Sequence, residues 1–265
     1  MSDVDQLFSS LKAQGKKALM PFLTAGDPSV EFTAKALRCL ERAGSHLFEI
    51  GFPYSDPIAD GPVIQASYTR ALNRGVKLTD IWQLLDETRA MSAPRVGMCS
   101  YAIILRQGIA KFVSMAKSHG MSGLIVPDLL VEESGVLRTE CQAQDISVIP
   151  LVTPTTPRDR AKLIADAATG FIYYVSVTGI TGERTEIPPE LIENVAWLKE
   201  QTSLPICIGF GISQPEHVKL LAPVADGLIV GSAFMRRVAR AEDAENEDSV
   251  LAELTDFAAG LLAAL

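Results

Sequence analysis

The stretch PICIGFGISQPEHVKLLAPVADGLIVGSA, residues 205–233, is the most informative about the fold. Two apolar runs, Pro205–Gly209 and Gly227–Val230, flank an amphipathic segment, Pro215–Ala222, that begins with a proline. Near-continuous apolar runs are typical of parallel strands buried on both faces, and proline is favoured at the first position of a helix. The stretch therefore predicts a strand–helix–strand unit with parallel strands.

The same alternation extends through the rest of the chain. Six more strands are predicted at Ala18–Thr24, Leu47–Gly51, Arg95–Ser100, Gly123–Val126, Ser147–Thr153 and Phe171–Ser176. Further helices are predicted at Val30–Ala43, Leu78–Met91, Ile109–His119, Glu132–Gln144, Arg158–Ala168, Pro189–Glu200 and Ser249–Ala264. Two additional helices, Asp3–Gln14 and Val63–Arg74, lie outside the alternation. At Arg158–Ala168, Thr156 is the predicted N-cap and Pro157 the first helical residue.

Eight strand–helix units in 265 residues predict an α/β fold. We expect a (β/α)8 TIM barrel forming one domain over residues 1–265, with an extra N-terminal helix and a helical insert after strand 2. Such barrels typically contain about 250 residues. An open, doubly wound sheet also alternates strands and helices, but no G-x-G-x-x-G follows the first strand and eight strands would be many for it.

Composition excludes several classes of function. The 24 basic and 32 acidic residues give a net charge of −8, which argues against nucleic-acid and anionic-membrane partners. No apolar run reaches the ~18–20 residues of a membrane helix, and the charged N-terminus lacks a signal core, so a cytoplasmic protein is expected. The three histidines are far apart and show no helical H-x-x-x-H spacing, so no metal site built from them is predicted.

Glycine-rich turns after the last two strands predict a phosphate site. GFGIS (209–213) and VGSA (230–233) follow strands seven and eight, where many barrels hold phosphate. Backbone N–H groups at Gly211, Ile212, Gly231 and Ser232 can approach an anion closely, and Gly182 could add a donor. Ordinary turn glycines are the alternative, although two such turns at neighbouring strand ends favour phosphate.

Two carboxylates are the candidate catalytic groups. Glu49 lies among apolar neighbours in the second strand, where burial would raise its pKa and suit it to proton transfer near pH 7. Asp60 follows eleven residues later, on a loop long enough to fold over the barrel mouth. A structural salt bridge is the alternative for Glu49, and an N-cap of the Val63–Arg74 helix is the alternative for Asp60.

The segment EIGFPYSDPIADGP (49–62) resembles the tryptophan synthase alpha subunit family. Five more motifs resemble the family in the same order: FLTAGDP (22–28), IVPD (125–128), SVTGITG (176–182), GFGIS (209–213) and VGSA (230–233). The resemblance covers nearly the whole chain. It implies a TIM barrel that cleaves indole-3-glycerol phosphate to indole and glyceraldehyde 3-phosphate, without metal or organic cofactor.

The resemblance also implies residue roles. Glu49 would be the general acid and base, and Asp60 would accept a hydrogen bond from the indole N–H. Thr181 would reach Asp60 when its loop closes. The residues expected at the substrate are Phe22, Ile64, Tyr101, Tyr173, Thr181 and Phe210, and those expected at the phosphate are Gly182, Gly211, Ile212, Gly231 and Ser232. One departure lies after the third strand, where Ile103 occupies a position at which many members carry Asn.

The family pairs with a pyridoxal-phosphate-dependent beta subunit, so the resemblance implies an alpha2beta2 heterotetramer. Asp56 and Pro57 belong to the loop that usually faces that partner. Two alternatives remain at this point: a free-standing lyase that releases indole, and a non-catalytic barrel that binds a beta subunit or a phosphate ligand. The pair formed by Glu49 and Asp60 argues against the second of these.

Overall fold

The computed structural model describes residues 1–58, 60–175, 189–209, 211–242 and 244–265. Within these residues, nine strands pair in parallel along one sheet. The strands are β1 (Ala18–Thr24), β2 (Phe48–Gly51), β3 (Arg95–Met98), β4 (Gly123–Ile125), β5 (Ser147–Ile149), β6 (Leu151–Val152), β7 (Ile172–Val175), β8 (Ile206–Gly209) and β9 (Gly227–Val230). Their order in the sheet is β5-β4-β3-β2-β1-β9-β8-β7-β6.

Pro150 explains why nine strands replace the eight predicted. It separates β5, which pairs with β4, from β6, which pairs with β7. Proline has no N–H to donate, although its carbonyl still accepts a hydrogen bond from the Tyr173 N–H at 3.0 Å. The predicted strand Ser147–Thr153 is therefore one extended segment whose two halves join the two ends of the sheet. This closure confirms the TIM barrel and rules out the open sheet.

Helices cover the outside of the barrel. They are α1 (Asp3–Ala13), α2 (Val30–Ala43), α3 (Pro62–Asn73), α4 (Leu78–Glu87), α5 (Tyr101–Gln107), α6 (Ile109–Ser118), α7 (Gly135–Ala143), α8 (Arg158–Ala167), α9 (Pro189–Gln201), α10 (Pro215–Leu221), α11 (Ser232–Val238) and α12 (Glu247–Leu262). Helices α1 and α3 are the predicted N-terminal helix and insert. Helix α5 was not predicted, and the predicted start of α7 at Glu132 is wrong because Val131–Glu133 forms a separate 3-10 turn.

Local signals set both ends of α2 but not the start of α8. The Ser29 hydroxyl accepts the Phe32 N–H at 3.0 Å at the start of α2, and Gly44 ends that helix in the left-handed conformation. The predicted Thr156 cap is wrong. Pro157 is the N-cap of α8, because the Thr156 hydroxyl accepts the Thr153 N–H at 3.0 Å and closes the preceding turn instead.

The N-terminal helix covers the end of the barrel where the strands begin. Phe8 of α1 packs against Phe171 with ring centroids 5.6 Å apart. The hydroxyls of Ser2 and Ser147 lie 2.7 Å apart, and Ser122 donates to Asp3 at 2.9 Å. These contacts close one end and leave the C-terminal ends of the strands as the open face. Across the described ranges, no helix is long and apolar enough to cross a membrane.

Candidate active site

Glu49 lies inside the barrel, in the middle of β2. It pairs in register with Phe22 of β1 on one side and Val96 of β3 on the other. The residue is 2% exposed, and its Oε2 forms no hydrogen bond in the described part of the chain. No salt bridge reaches it from the described basic residues, so the structural ion pair considered for Glu49 finds no support.

The surroundings of Glu49 favour its neutral form. Burial raises the pKa of Glu49 to about 8, and the negative charge of Asp60 adds to the rise. The group therefore carries a proton at neutral pH and can both donate and take one back within the physiological range.

Asp60 lies beside Glu49, on the loop between β2 and α3. The backbone holds it on both sides: its N–H donates to the Pro57 carbonyl at 3.0 Å, and its carbonyl accepts from Gln65 at 2.7 Å. The carboxylate accepts only a long hydrogen bond, 3.5 Å, from the Tyr54 hydroxyl among the described donors. Gly61, not Asp60, is the N-cap of α3, so the capping role considered for Asp60 is wrong.

Asp60 is more acidic than Glu49 and suits a different task. Burial raises the pKa of Asp60 to about 6, and the hydrogen bond from Tyr54 opposes the rise. At neutral pH the pair therefore contains one protonated and one mostly ionised carboxyl group. In the described ranges, no three His, Cys, Asp or Glu side chains cluster in a way that could hold a metal ion.

Two glycines make room for aromatic side chains at the mouth. A Cβ at Gly51 would lie 2.7 Å from a Phe22 ring carbon, and a Cβ at Gly209 would lie 2.6 Å from the Tyr173 hydroxyl. Such approaches are possible only without a side chain at those positions. Burial raises the pKa of Tyr173, with further contributions from Glu49 and Asp60, so its hydroxyl shares their surroundings.

Gly231, in the second phosphate turn, lies next to the apolar wall formed by Phe22 and Ile64. A Cβ built at Gly231 would lie 3.5 Å from Phe22 and 3.7 Å from Ile64. The structure therefore brings Phe22 and Ile64 together beside a predicted phosphate residue. Tyr101 lies at the same end of the barrel, half-buried in the first turn of α5, and its N–H donates to Asp128 at 2.8 Å.

The two predicted phosphate turns lie side by side because β8 and β9 are paired. Gly211 adopts a positive φ of 57°, and Ile212 next to it is buried. Gly231 is the N-cap residue of α11, which starts at Ser232. Thr181, Gly182 and Phe210, also expected here, lie outside the described residues.

Two tyrosines were missed by the sequence analysis. Tyr54 and Tyr68 pack with ring centroids 5.5 Å apart, beside Asp60. Helical spacing could have identified Tyr68, because it follows the predicted substrate residue Ile64 by four residues and so lies on the same face of α3. Asp27 accepts two hydrogen bonds from Arg70, at 2.6 and 2.9 Å, which tie α3 to the end of β1.

The sequence of this chain is similar to those of known proteins from one family. Residues 8–263 match the family described as "Tryptophan synthase alpha chain". A tryptophan synthase alpha chain of Rhodopirellula baltica is 57% identical over 245 residues, covering 91% of this chain and 88% of the relative. A Thermoanaerobacter alpha chain is 44% identical and covers 98% of both.

Solved structures show the same similarity. The tryptophan synthase alpha subunit of Legionella pneumophila superimposes with a TM-score of 0.90 at 33% identity, over 100% of this chain and 98% of that one. A chain of the tryptophan synthase a2b2 complex from Pyrococcus furiosus gives a TM-score of 0.85 at 37% identity, over 93% and 98% of the two chains. The resemblance seen in the sequence motifs is confirmed.

Proposed function

Since the chain belongs to the tryptophan synthase alpha chain family, we propose that it is a lyase that cleaves indole-3-glycerol phosphate to indole and glyceraldehyde 3-phosphate. Family membership makes it an enzyme of tryptophan biosynthesis. The observation that carries the proposal is the buried carboxyl of Glu49, which lies beside Asp60 and whose Oε2 has no hydrogen-bond partner among the described residues.

Glu49 acts first as an acid and then as a base. Its proton goes to the indole ring carbon that bears the glycerol chain, which leaves a positive charge on the ring system. The Glu49 carboxylate then takes the proton of the glycerol hydroxyl, the adjacent carbon–carbon bond breaks, and its electron pair returns to the ring. The products are indole and an aldehyde, and Glu49 is again protonated. A pKa near 8 suits both transfers.

Asp60 supplies the charge that this reaction needs. Its carboxylate accepts the hydrogen bond of the ring N–H and stabilises the positive ring after protonation. A pKa of about 6 leaves it mostly ionised at neutral pH. The two carboxyl groups support each other, since the charge of Asp60 helps to keep Glu49 protonated.

The remaining site residues bind the two ends of the substrate. Phe22 and Ile64 provide an apolar wall for the ring, to which we also assign Tyr101, Tyr173 and Phe210. Backbone N–H groups at Gly211, Ile212, Gly231 and Ser232 hold the phosphate, with Gly182 as a further donor and Thr181 closing on Asp60. Phosphate binding by backbone N–H groups and a helix start is compatible with the chain's net charge of −8.

The chain is also proposed to bind a pyridoxal-phosphate-dependent beta subunit in an alpha2beta2 assembly. The Pyrococcus furiosus relative is described as part of such an a2b2 complex. Three exposed apolar side chains support the proposal: Ile58, Leu105 and Leu130, which are 93%, 53% and 55% exposed. They follow the consecutive strands β2, β3 and β4 at the open end of the barrel, where a partner can cover them.

An assay of indole release from indole-3-glycerol phosphate, with and without a beta subunit, tests both proposals. We expect release by the chain alone, faster release with the beta subunit, and co-elution of the two chains in gel filtration. Absence of indole release under both conditions would refute the lyase. Release that is unaffected by a beta subunit that does not co-elute would instead indicate a free-standing lyase.

A further inference from the structure

Tyr68 has a buried hydroxyl that forms no hydrogen bond within the described part of the chain. The residue lies on α3 and is fully buried. Burial of an unpaired hydroxyl destabilises the folded state, and a phenylalanine would fill nearly the same volume without that cost. Packing alone therefore does not account for the hydroxyl.

The position of the hydroxyl connects it to the candidate active site. A Cβ at Gly51 would lie 2.9 Å from Tyr68 Oη and 2.7 Å from a ring carbon of Phe22. Gly51 follows Glu49 by two residues in β2, so both positions face the same side of the strand. The Tyr68 hydroxyl thus lies on the side of β2 that carries Glu49, next to the apolar wall.

The ring of Tyr68 supports a second tyrosine that already contacts Asp60. The rings of Tyr68 and Tyr54 pack at 5.5 Å with an interplanar angle of 50°. The bond from Tyr54 to Asp60 is 3.5 Å, which is long for a hydroxyl and a carboxylate. Two hydrogen bonds fix the backbone of Asp60, whereas the described part of the chain gives its carboxylate only this long one. A carboxylate can accept about four hydrogen bonds.

The titratable groups around the hydroxyl identify its acceptor. Asp60, Glu49, Tyr54 and Cys99 face it from the β2–α3 loop, from β2 and from the end of β3. Burial raises the pKa of Tyr68 well above its usual value, so the hydroxyl remains a donor. Glu49 is protonated at neutral pH, which leaves Asp60 as the charged acceptor.

We propose that Tyr68 is a positioning residue whose hydroxyl donates a second hydrogen bond to the Asp60 carboxylate when a substrate ring occupies the site. Tyr54 and Tyr68 would then hold Asp60 from one side and direct its free lone pairs at the ring N–H. This inference rests on the proposed function, because it requires a ligand with a ring N–H beside Asp60.

The test compares two ligands that differ only at the ring position facing Asp60. Indole-3-propanol phosphate keeps the N–H, whereas its benzofuran counterpart has an oxygen there. Calorimetry on the full chain gives the ratio of their dissociation constants without any turnover. We expect Tyr68→Phe to reduce the preference for the N–H ligand by roughly threefold to tenfold, as for partial loss of one hydrogen bond to a charged group.

Tyr174→Phe is the matched control. Tyr174 is a buried tyrosine of β7 whose hydroxyl accepts a hydrogen bond from the Asn194 side chain of α9, away from the site. This variant is expected to keep the wild-type preference. In turnover assays, Tyr68→Phe is expected to lower kcat roughly fivefold or more with KM nearly unchanged, because only the alignment of Asp60 is lost.

The outcomes separate the two proposals. A wild-type chain that binds the N–H ligand more tightly, with Tyr68→Phe showing the same preference and the same kcat, would refute the role of Tyr68 alone. A wild-type chain that binds neither ligand would refute the proposed function and the inference built on it. Urea unfolding of Tyr68→Phe at or above the wild-type midpoint would show that the binding change is not a folding defect.

Discussion

Replacing Glu49 with glutamine is expected to change how the stability of the chain depends on pH. Glutamine has nearly the same size but cannot ionise. In the wild type, the carboxyl is ionised in the unfolded chain above its ordinary pKa of 4.5, whereas burial holds its pKa in the folded chain at about 8. Between these two values the folded state binds more protons than the unfolded state, so wild-type stability falls as pH rises.

The size of the effect follows from the same two pKa values. At pH 7 the 2.5-unit distance from the unfolded pKa corresponds to about 3 kcal/mol of lost stability, at about 1.4 kcal/mol per unit. Below pH 4.5 the loss disappears, because Glu49 is protonated in both states. The free energy of unfolding of Glu49→Gln should therefore rise relative to the wild type by about 3 kcal/mol from pH 5 to pH 8.

Urea unfolding at 25 °C, followed by circular dichroism at pH values from 5 to 8, measures this difference. Glu31→Gln is the matched control, since Glu31 is exposed on α2, and its curve should parallel the wild type. A difference between Glu49→Gln and wild type that stays constant over this range, within about 0.5 kcal/mol, would refute the assignment of a buried, protonated Glu49.

Three further predictions concern activity, phosphate binding and packing. Glu49→Gln should nearly abolish indole release in a steady-state assay while indole-3-propanol phosphate still binds; retention of most of the activity would contradict the proton-transfer role. Gly231→Asp should weaken the affinity for glycerol phosphate at least tenfold in calorimetry, and Gly231→Ala much less, because a Cβ there meets only ordinary contacts; equal affinities would contradict the phosphate site. Gly51→Ala should lower the free energy of unfolding by about 1–3 kcal/mol, since its Cβ would overlap Phe22 and Tyr68. Gly135→Ala, whose Cβ meets open space, should keep the wild-type urea midpoint, and an equal loss in both variants would contradict the packing argument.

Local patterns were sufficient for most of the elements. Strands buried on both faces appear as continuous apolar runs, so β1 and β9 have the predicted bounds. A serine directly before a helical pattern, such as Ser29, is a local signal for an N-cap, and the structure shows it capping α2. Thr156 misled because its hydroxyl closes a turn, and Pro150 interrupts a strand whose halves pair with different neighbours. The hydrogen-bond partner of Thr156 and the strand pairings on either side of Pro150 form only in the folded barrel, so the local sequence does not reveal them.

For the candidate site, too, some features could be predicted from the sequence and others required the tertiary structure. The sequence by itself determined the barrel, the carboxyl pair Glu49 and Asp60, and the adjacent glycine turns, because strand order places all of them at one end. Only the tertiary structure decided that no basic residue in the described part of the chain pairs with Glu49, and that Asp60 does not cap α3. It alone placed the Tyr68 hydroxyl next to Gly51 and the ring of Phe22. Burial and pairing arise from residues distant in the chain, so no local pattern encodes the protonation state or the orientation of these groups.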